Sequence, residues 1–325
     1  MKALVNTTYG SPDVLELKDI EKPTPKDNEV LIKVQAASVN AADLHLLTAD
    51  IFLVRLDAGL LRPKKNILGA DIAGRVEAIG SNVKQFKPGD EVFGDIFACG
   101  CGGFAEYVCA DENALVRKPA RLTFEEAAAV PMAAVTALQG LRDKGHIESG
   151  QKVLINGASG GVGTFAVQVA KSFGAEVTAV CSTQNLDMVR SIGADHVIDY
   201  SKEDFTRNEQ RYDLIVAANG YHPILDYRRV LVPNGIYVMT GGTMAQMFQA
   251  ILLGPWLSMV GGKKMGILSA HPSSTDLGFV KELIDARKVK PVLDRCYPLD
   301  EAAEALRYLG EGHARGKVVI TIGQS

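Results

Sequence analysis

The stretch Val153–Thr183, VLINGASGGVGTFAVQVAKSFGAEVTAVCST, decides the fold. Its opening, KVLINGA when Lys152 is included, has the length and apolar composition of a buried strand. Gly157, Gly160, Gly161 and Gly163 then cluster before GVGTFAVQVAKSFG, an amphipathic helix pattern ended by Gly174. A second apolar run, EVTAVCS, follows. Strand, glycine turn, helix and strand together make one parallel crossover unit. Read as Ala158-x-Gly160-x-x-Gly163, the turn is a dinucleotide fingerprint with alanine in the first glycine place. Missing Cβ atoms let the backbone approach a pyrophosphate, and the helix N-terminus adds amide donors and a positive dipole end. The bland alternative is a plain strand–helix turn. A Walker-type phosphate cradle would need Lys-Ser or Lys-Thr after the glycines, and the loop has neither.

Outward from this unit, the chain changes character near Thr123. Beyond it, helical segments alternate with short apolar strands: HVIDY, YDLIVAA, GIYVMTG and KMGILSA. That alternation predicts a doubly wound parallel sheet. Residues 1–122 instead carry β-branched runs such as EVLIKVQAASVN and ADIAGRVEAIG, broken by Gly, Pro and Asp. From about Ser273 the tail reads as two helices and a last strand, GKVVITI. A chain of 325 residues exceeds one core, so two domains are expected. The hydrophobic share of 47% and formal net charge of −3 describe an ordinary soluble protein. No basic stripe or acidic tail points to nucleic acid. Five cysteines without a secretory leader read as reduced thiols in a cytoplasmic protein. Met244–Gly262 is the one long apolar stretch, and Gly254-Pro255 interrupts it, so it is read as a buried or interface helix rather than a membrane span.

The end of the second strand bears on which dinucleotide is bound. An acid there would bond the ribose 2′-OH and repel a 2′-phosphate. The sequence has Cys181-Ser182-Thr183-Gln184-Asn185 instead, with Tyr200 closing HVIDY and Arg190 one helical stretch further on. Ser182 and Thr183 supply hydroxyl donors and Tyr200 a third contact, which predicts NADPH rather than NADH. Tyr200 also reads as an ordinary half-buried strand residue.

KPGDEVFG, GGFAEYV, AAAVPMAAVTAL, INGASGGVG and HARGKVVI carry a resemblance along essentially the whole chain. Together they resemble the zinc-free quinone oxidoreductases and enone reductases of the medium-chain dehydrogenase/reductase superfamily, an alcohol dehydrogenase-like group. The resemblance implies an α/β protein in which a Rossmann domain, residues 123–271, is inserted in a GroES-like partial barrel, residues 1–122 completed by 272–325. It further implies a homodimer, through the edge of the sixth strand or the Trp256 segment. In zinc alcohol dehydrogenases of the superfamily, Cys, His and Cys hold the catalytic metal. The matching positions here are Asn40, Ala70 and approximately Met132, which cannot replace those ligands. The four-cysteine structural lobe is also missing, since only Cys99, Cys101 and Cys109 lie nearby. No metal is therefore expected.

Without a Lewis acid, alcohol oxidation loses its alkoxide stabiliser, whereas a conjugated acceptor delocalises the new charge onto oxygen. The expected activity is NADPH-dependent hydride transfer to quinones or α,β-unsaturated carbonyls, the proton following from solvent. Asn40 is the candidate donor to the substrate oxygen, or else a cap of AADLHLL. Asp43 either supports the site or fixes its loop. Thr136 faces the nicotinamide or its ribose, or bonds its own helix backbone. The resemblance adds Ser159, Gly160, Gly161 and Val162 to the cofactor site. Later strand ends add Asn219, Gly241, Gly242, Leu268 and Ser269. Lys317 either reaches the nicotinamide end or is a solvated strand-edge lysine. Leu46–Asn66 reads as an apolar loop suited to a hydrophobic acceptor, with His45 as a possible proton donor. A short-chain dehydrogenase would need a Tyr-x-x-x-Lys pair, which is not found. The rival of another class is an NADPH-binding structural or interaction protein with little catalysis.

Overall fold

A computed structural model describes the chain apart from residues 51–54, 57–58, 221 and 324–325. It divides into two compact units. One comprises residues 1–132, 272–281 and 291–325, and the other 133–271 and 282–290.

The first unit begins with a two-stranded antiparallel ribbon, β1 (Lys2–Asn6) and β2 (Leu15–Asp19). β3 (Glu29–Val39) leads into helix α1 (Ala41–Thr48), and β4 (Asp71–Ile79), β5 (Glu91–Asp95), β6 (Tyr107–Asp111) and β7 (Leu115–Arg117) follow. The short helix α2 (Phe124–Ala128) follows, and α3 (Pro131–Gln139) carries the chain from the first unit into the second. α2 starts on a reciprocal cap, Thr123 accepting from the Glu126 amide while the Glu126 carboxylate accepts from Thr123 N–H. That helix stays with the first unit, so the division falls after Met132 rather than at 122.

After α3 the second unit continues with β8 (Lys152–Asn156), α4 (Gly161–Ser172), β9 (Glu176–Cys181), α5 (Leu186–Ser191) and β10 (His196–Asp199). It continues through β11 (Tyr212–Ala217), α6 (Ile224–Arg229), β12 (Leu231–Met239), α7 (Met244–Leu252), α8 (Gly254–Met259) and β13 (Lys264–Ile267). Its strands are all parallel, in the order β10-β9-β8-β11-β12-β13. The order reverses between β8 and β11, where a doubly wound sheet opens its ligand crevice at the strands' carboxyl ends. Strands buried on both faces are continuously apolar, as Val153, Leu154 and Ile155 at 0% exposure show.

α9 (Ser274–Asp285) begins in the first unit and ends in the second, and from residue 291 the first unit is completed by β14 (Leu293–Pro298), α10 (Ala302–Gly310) and β15 (Lys317–Thr321). β15 pairs antiparallel with β3, completing a sheet of order β14-β15-β3-β4-β5-β7 with β6 on β3. Val30, Ile32, Val34, Ile72, Phe104 and Ile320 fill its core.

The apolar Met244–Gly262 stretch is two helices rather than one. Pro255 lies at the start of α8 and has no N–H to continue α7. Much of its apolar surface is exposed, Leu252 at 70%, Trp256 at 64% and Met259 at 84%, so burial does not explain it. Among the described residues, no helix is long and apolar enough to cross a membrane.

Candidate active site

In the second unit the expected cofactor residues converge because parallel strands end along one edge. Gly157 takes φ +80°, and a Cβ there would lie 2.6 Å from Asn219 N. Asn219, after β11, donates its N–H to Asn156 O at 3.3 Å. The glycine loop and the fourth strand end therefore touch. A Cβ on Gly163 would stand 2.1 Å from Gly157 O, so that glycine is required for the loop to seat on α4. Gly160 differs: its Cβ would meet only Gly157 O, at 3.6 Å. Space over Gly160 is open, at the N-cap of α4, where Gly161 and Val162 present the first helical amides. Ser159 lies beside them, half-buried.

Gly241 and Gly242 follow β12. A Cβ on Gly241 would press on Ala218 O at 2.5 Å, and Gly242 has φ +134°. Leu268 N–H donates to Met239 O at 2.8 Å, which holds Leu268 and Ser269 beyond β13 on the same edge. Thr136 sits on α3 at 8% exposure, and Gly140, four residues on, faces Thr240 and Leu268.

Ser182, Thr183 and Tyr200 come together through the register that pairs Asp199 with Cys181. Tyr200 donates its N–H to Cys181 O at 3.1 Å and leaves its side chain 61% exposed. Thr183 corrects the expectation of a free donor. Its hydroxyl donates to Asp199 Oδ2 at 2.5 Å and lies 3.2 Å from the Ser201 hydroxyl. The second strand carries no acid, yet the third delivers one to the same place. The Thr183 and Ser201 hydroxyls and the Ser201 amide hold the Asp199 carboxyl down to about 2, so it is an anion at neutral pH. Lys202, exposed, pairs with it at 3.6 Å. Arg190 turns to Asp187 at 3.1 Å.

The first unit gathers Asn40, Asp43, Asp71, Asp95 and Lys317 in its interior. Asn40, before α1, donates Nδ2 to Asp71 Oδ2 at 3.0 Å and to Ser38 O at 3.4 Å, and its Oδ1 accepts from Lys317 Nζ. With both ends engaged and 7% exposed, Asn40 is not the free donor expected of it. Asp43 accepts the N–H of Asn40 at 2.8 Å and of Gly69 at 3.0 Å, and so fixes the start of α1 to the Gly69 turn. Asp71 also accepts from Ser38 Oγ at 3.0 Å and from Met132 N–H at 2.9 Å. Lys317 is 3% exposed with Nζ 3.6 Å from Asp71 Oδ2, which corrects the solvated-lysine reading. Burial pushes Asp43 up to about 6 and Asp95 up to about 7, and it lowers Lys317.

Asp71 and Asp199 are the residues that reading the sequence missed. The adjacent letters Ala70 and Tyr200 were singled out, but only strand pairing shows what their neighbours face. His45 Nδ1 bonds Asp50 at 3.0 Å, a local surface pair rather than a placed proton donor. The Leu46–Asn66 loop lies partly outside the described residues.

Positions 40, 70 and 132 do meet, around Asp71. Their donor set of amide, methyl and thioether does not fit zinc. Among the described residues no group of three or more His, Cys, Asp or Glu is arranged to hold a metal.

Residues 26–120 match the family described as alcohol dehydrogenase GroES-like domain, and residues 192–320 match the zinc-binding dehydrogenase family. The chain is 35% identical to a chloroplast envelope quinone oxidoreductase homolog of Arabidopsis thaliana, with 98% of each chain covered. It is 35% identical to 2-methylene-furan-3-one reductase of Solanum lycopersicum, covering 98% of this chain and 79% of that one. The solved quinone oxidoreductase of Coxiella burnetii superposes with a TM-score of 0.86 at 30% identity, over 99% of both chains. The chain belongs to the quinone oxidoreductase and enone reductase branch of the medium-chain dehydrogenase/reductase superfamily, and it is an oxidoreductase with a Rossmann nicotinamide-dinucleotide domain.

Proposed function

We propose that the protein is an NADPH-dependent reductase that passes hydride to quinones or to the alkene of α,β-unsaturated carbonyls, with no zinc in the step. The observation that carries this is the open backbone at Gly160, set at the N-terminus of α4 beside the strand ends of a doubly wound sheet. Bound there, the nicotinamide supplies the hydride. The amides of Gly161 and Val162 hold the pyrophosphate. Ser182, Tyr200 and Lys202 hold the 2′-phosphate, and Asp199 opposes it. The preference for NADPH over NADH is therefore moderate.

The zinc-independent reading rests on the donor chemistry at Asn40, Ala70 and Met132. A conjugated acceptor suits it, because charge arriving with hydride spreads onto oxygen. The printed names of the Arabidopsis and tomato relatives support this acceptor class. Asp43, Asp71 and Lys317 serve by locking Asn40 and the turn at Gly69.

The test is NADPH oxidation in chelating buffer against quinones, enones and simple aldehydes. Quinone or enone turnover that survives chelation is expected. Activity confined to aldehydes and lost with chelator would sink the proposal, while tight NADPH binding without turnover would favour the structural-protein reading. In the same assay, Asp199→Asn is expected to raise kcat/KM for NADPH by about 3–10-fold, a charge effect of ~1 kcal/mol, and to leave NADH nearly unchanged. An equal change for both nucleotides would remove Asp199 from the 2′ position.

We also propose that the protein is a cytoplasmic homodimer. All five cysteines are free, as a reducing compartment requires. The exposed Phe248, Leu252, Trp256 and Met259 lie on helices that pack beside β13, whose outer edge pairs with no strand among the described residues, a surface that a second copy would cover. Sedimentation equilibrium should return twice the chain mass, and Trp256→Glu with Met259→Lys should return the single mass. A wild-type monomer at micromolar concentration would rule the dimer out.

A further inference from the structure

One nearly buried side chain between the glycine loop and the end of β9 has no place in the scheme above. Asn185 is 6% exposed. Its Nδ2 donates to Ser159 Oγ at 3.1 Å and to Ser182 Oγ at 3.0 Å. Ser159 belongs to the glycine loop and Ser182 to the neighbouring strand end, so one amide joins the two places that face anionic groups of a dinucleotide.

The proton count gives the contact its meaning. A side-chain amide nitrogen has two hydrogens, and both are directed at serine oxygens. Each hydroxyl thus accepts from Asn185 and keeps its single proton to give elsewhere. Neither hydroxyl has a further partner among the described residues. Asn185 Oδ1 is buried and likewise unpartnered, which is the condition of a site completed by something else.

We infer that Asn185 is a positioning residue that sets Ser159 and Ser182 as hydrogen-bond donors, Ser159 toward the pyrophosphate and Ser182 toward the 2′-phosphate. The inference rests on the dinucleotide reading of this site. It makes preference for NADPH depend on a residue that need not touch the phosphate. A merely structural amide would support both nucleotides equally. An amide turned the other way would take both serine protons and leave none for a phosphate.

Calorimetric titration with NADPH, NADH and 2′,5′-ADP tests this without turnover. Asn185→Leu removes both donors. Asn185→Asp keeps the size, accepts only, and carries the same comparison should the leucine variant not fold. Either is expected to weaken NADPH and 2′,5′-ADP by about 10–100-fold, the range of one or two hydrogen bonds to a charged group. NADH should weaken about tenfold less than NADPH. In a Ser182→Ala background the same substitution should change the NADPH:NADH ratio less than about twofold, because the hydroxyl it orients is gone. Equal losses for both nucleotides, or an undiminished ratio change without Ser182, would overturn the inference while leaving the proposed function intact. Wild-type protein that binds neither nucleotide would overturn both.

Discussion

Gly160→Ala is expected to leave the melting temperature within a few degrees of wild type and to weaken NADPH binding by about 100-fold or more. Both halves follow from one geometry. Gly160 has φ −83° and ψ 176°, an extended conformation open to any residue, and an added methyl would make only an ordinary contact with Gly157 O at 3.6 Å. Losing glycine's flexibility in the unfolded chain offsets the weaker N-cap, each worth about 0.5–1 kcal/mol. The methyl would occupy the space into which a pyrophosphate must come to reach the helix amides, and losing that approach removes several charge-assisted hydrogen bonds. Gly163→Ala is the control. Its methyl would collide with Gly157 O at 2.1 Å and Ala158 Cα at 2.8 Å, so it should lose about 1–3 kcal/mol of stability as well as binding. Titration calorimetry and thermal unfolding of the two variants separate these outcomes. Wild-type affinity in Gly160→Ala would mean that no pyrophosphate rests on this loop.

The largest stability effect is expected from Lys317→Met. Lys317 is the cation facing three buried carboxyls, Asp43 and Asp71 at 0% exposure and Asp95 at 8%. Replacing it leaves Asp71 with hydrogen bonds but no opposite charge, and breaking such a pair costs about 3–5 kcal/mol. The loss should depend on pH. Asp43 and Asp95 titrate higher in the folded protein than their usual value of 3.8, at about 6 and about 7. A raised carboxyl favours folding while it is protonated; that contribution is full below 3.8 and is lost between there and the folded value, about 6 for Asp43 and about 7 for Asp95, by about 1.4 kcal/mol per pH unit for each group. Without the ammonium both carboxyls rise further. The variant's deficit should thus be small near pH 5 and full near pH 8, and Lys317→Met with Asp71→Asn should recover part of it. Urea midpoints at the two pH values decide the matter. A deficit under ~1 kcal/mol at pH 8 would show that the ammonium does not stabilise the cluster.

These two sites differ in how far the sequence revealed them. The glycine loop was legible because its requirements are local. A positive φ at Gly157, bare Cα atoms at Gly160 and Gly163, and a helix directly after them are all written in consecutive residues. That these strands form a parallel, doubly wound sheet followed from alternation alone, whereas their order did not. The Asp43–Asp71–Lys317 cluster was not legible, because β4, α1 and β15 are brought together only by the closing of a sheet. Lys317 in GKVVITI could be placed on a strand, but not on the inward side of one beside two acids. Asp199 was hidden for a related reason. Parallel pairing sets the ends of β9 and β10 side by side, so the acid that occupies Thr183 comes from a segment beyond a helix. In the apolar Met244–Gly262 stretch, Pro255 was visible as a break, whereas the exposure of what surrounds it was not.

The pairing of β15 with β3 also bears on how the chain is made. Residues 317–321 are synthesised long after residues 36–39, to which they bond. Contacts so distant in sequence form slowly, because a long loop must close before they return any free energy. Most of the parallel sheet has no such wait, since β8 to β13 lie in one continuous run. On the ribosome the inserted unit can therefore organise while the surrounding one is still open-edged, and Lys317 meets Asp71 only once the chain has been made past β15. A nascent chain stalled before Lys317 would hold three buried-site acids without their cation. Residues 1–132 thus wait, open-edged, for partners made after the parallel sheet between them.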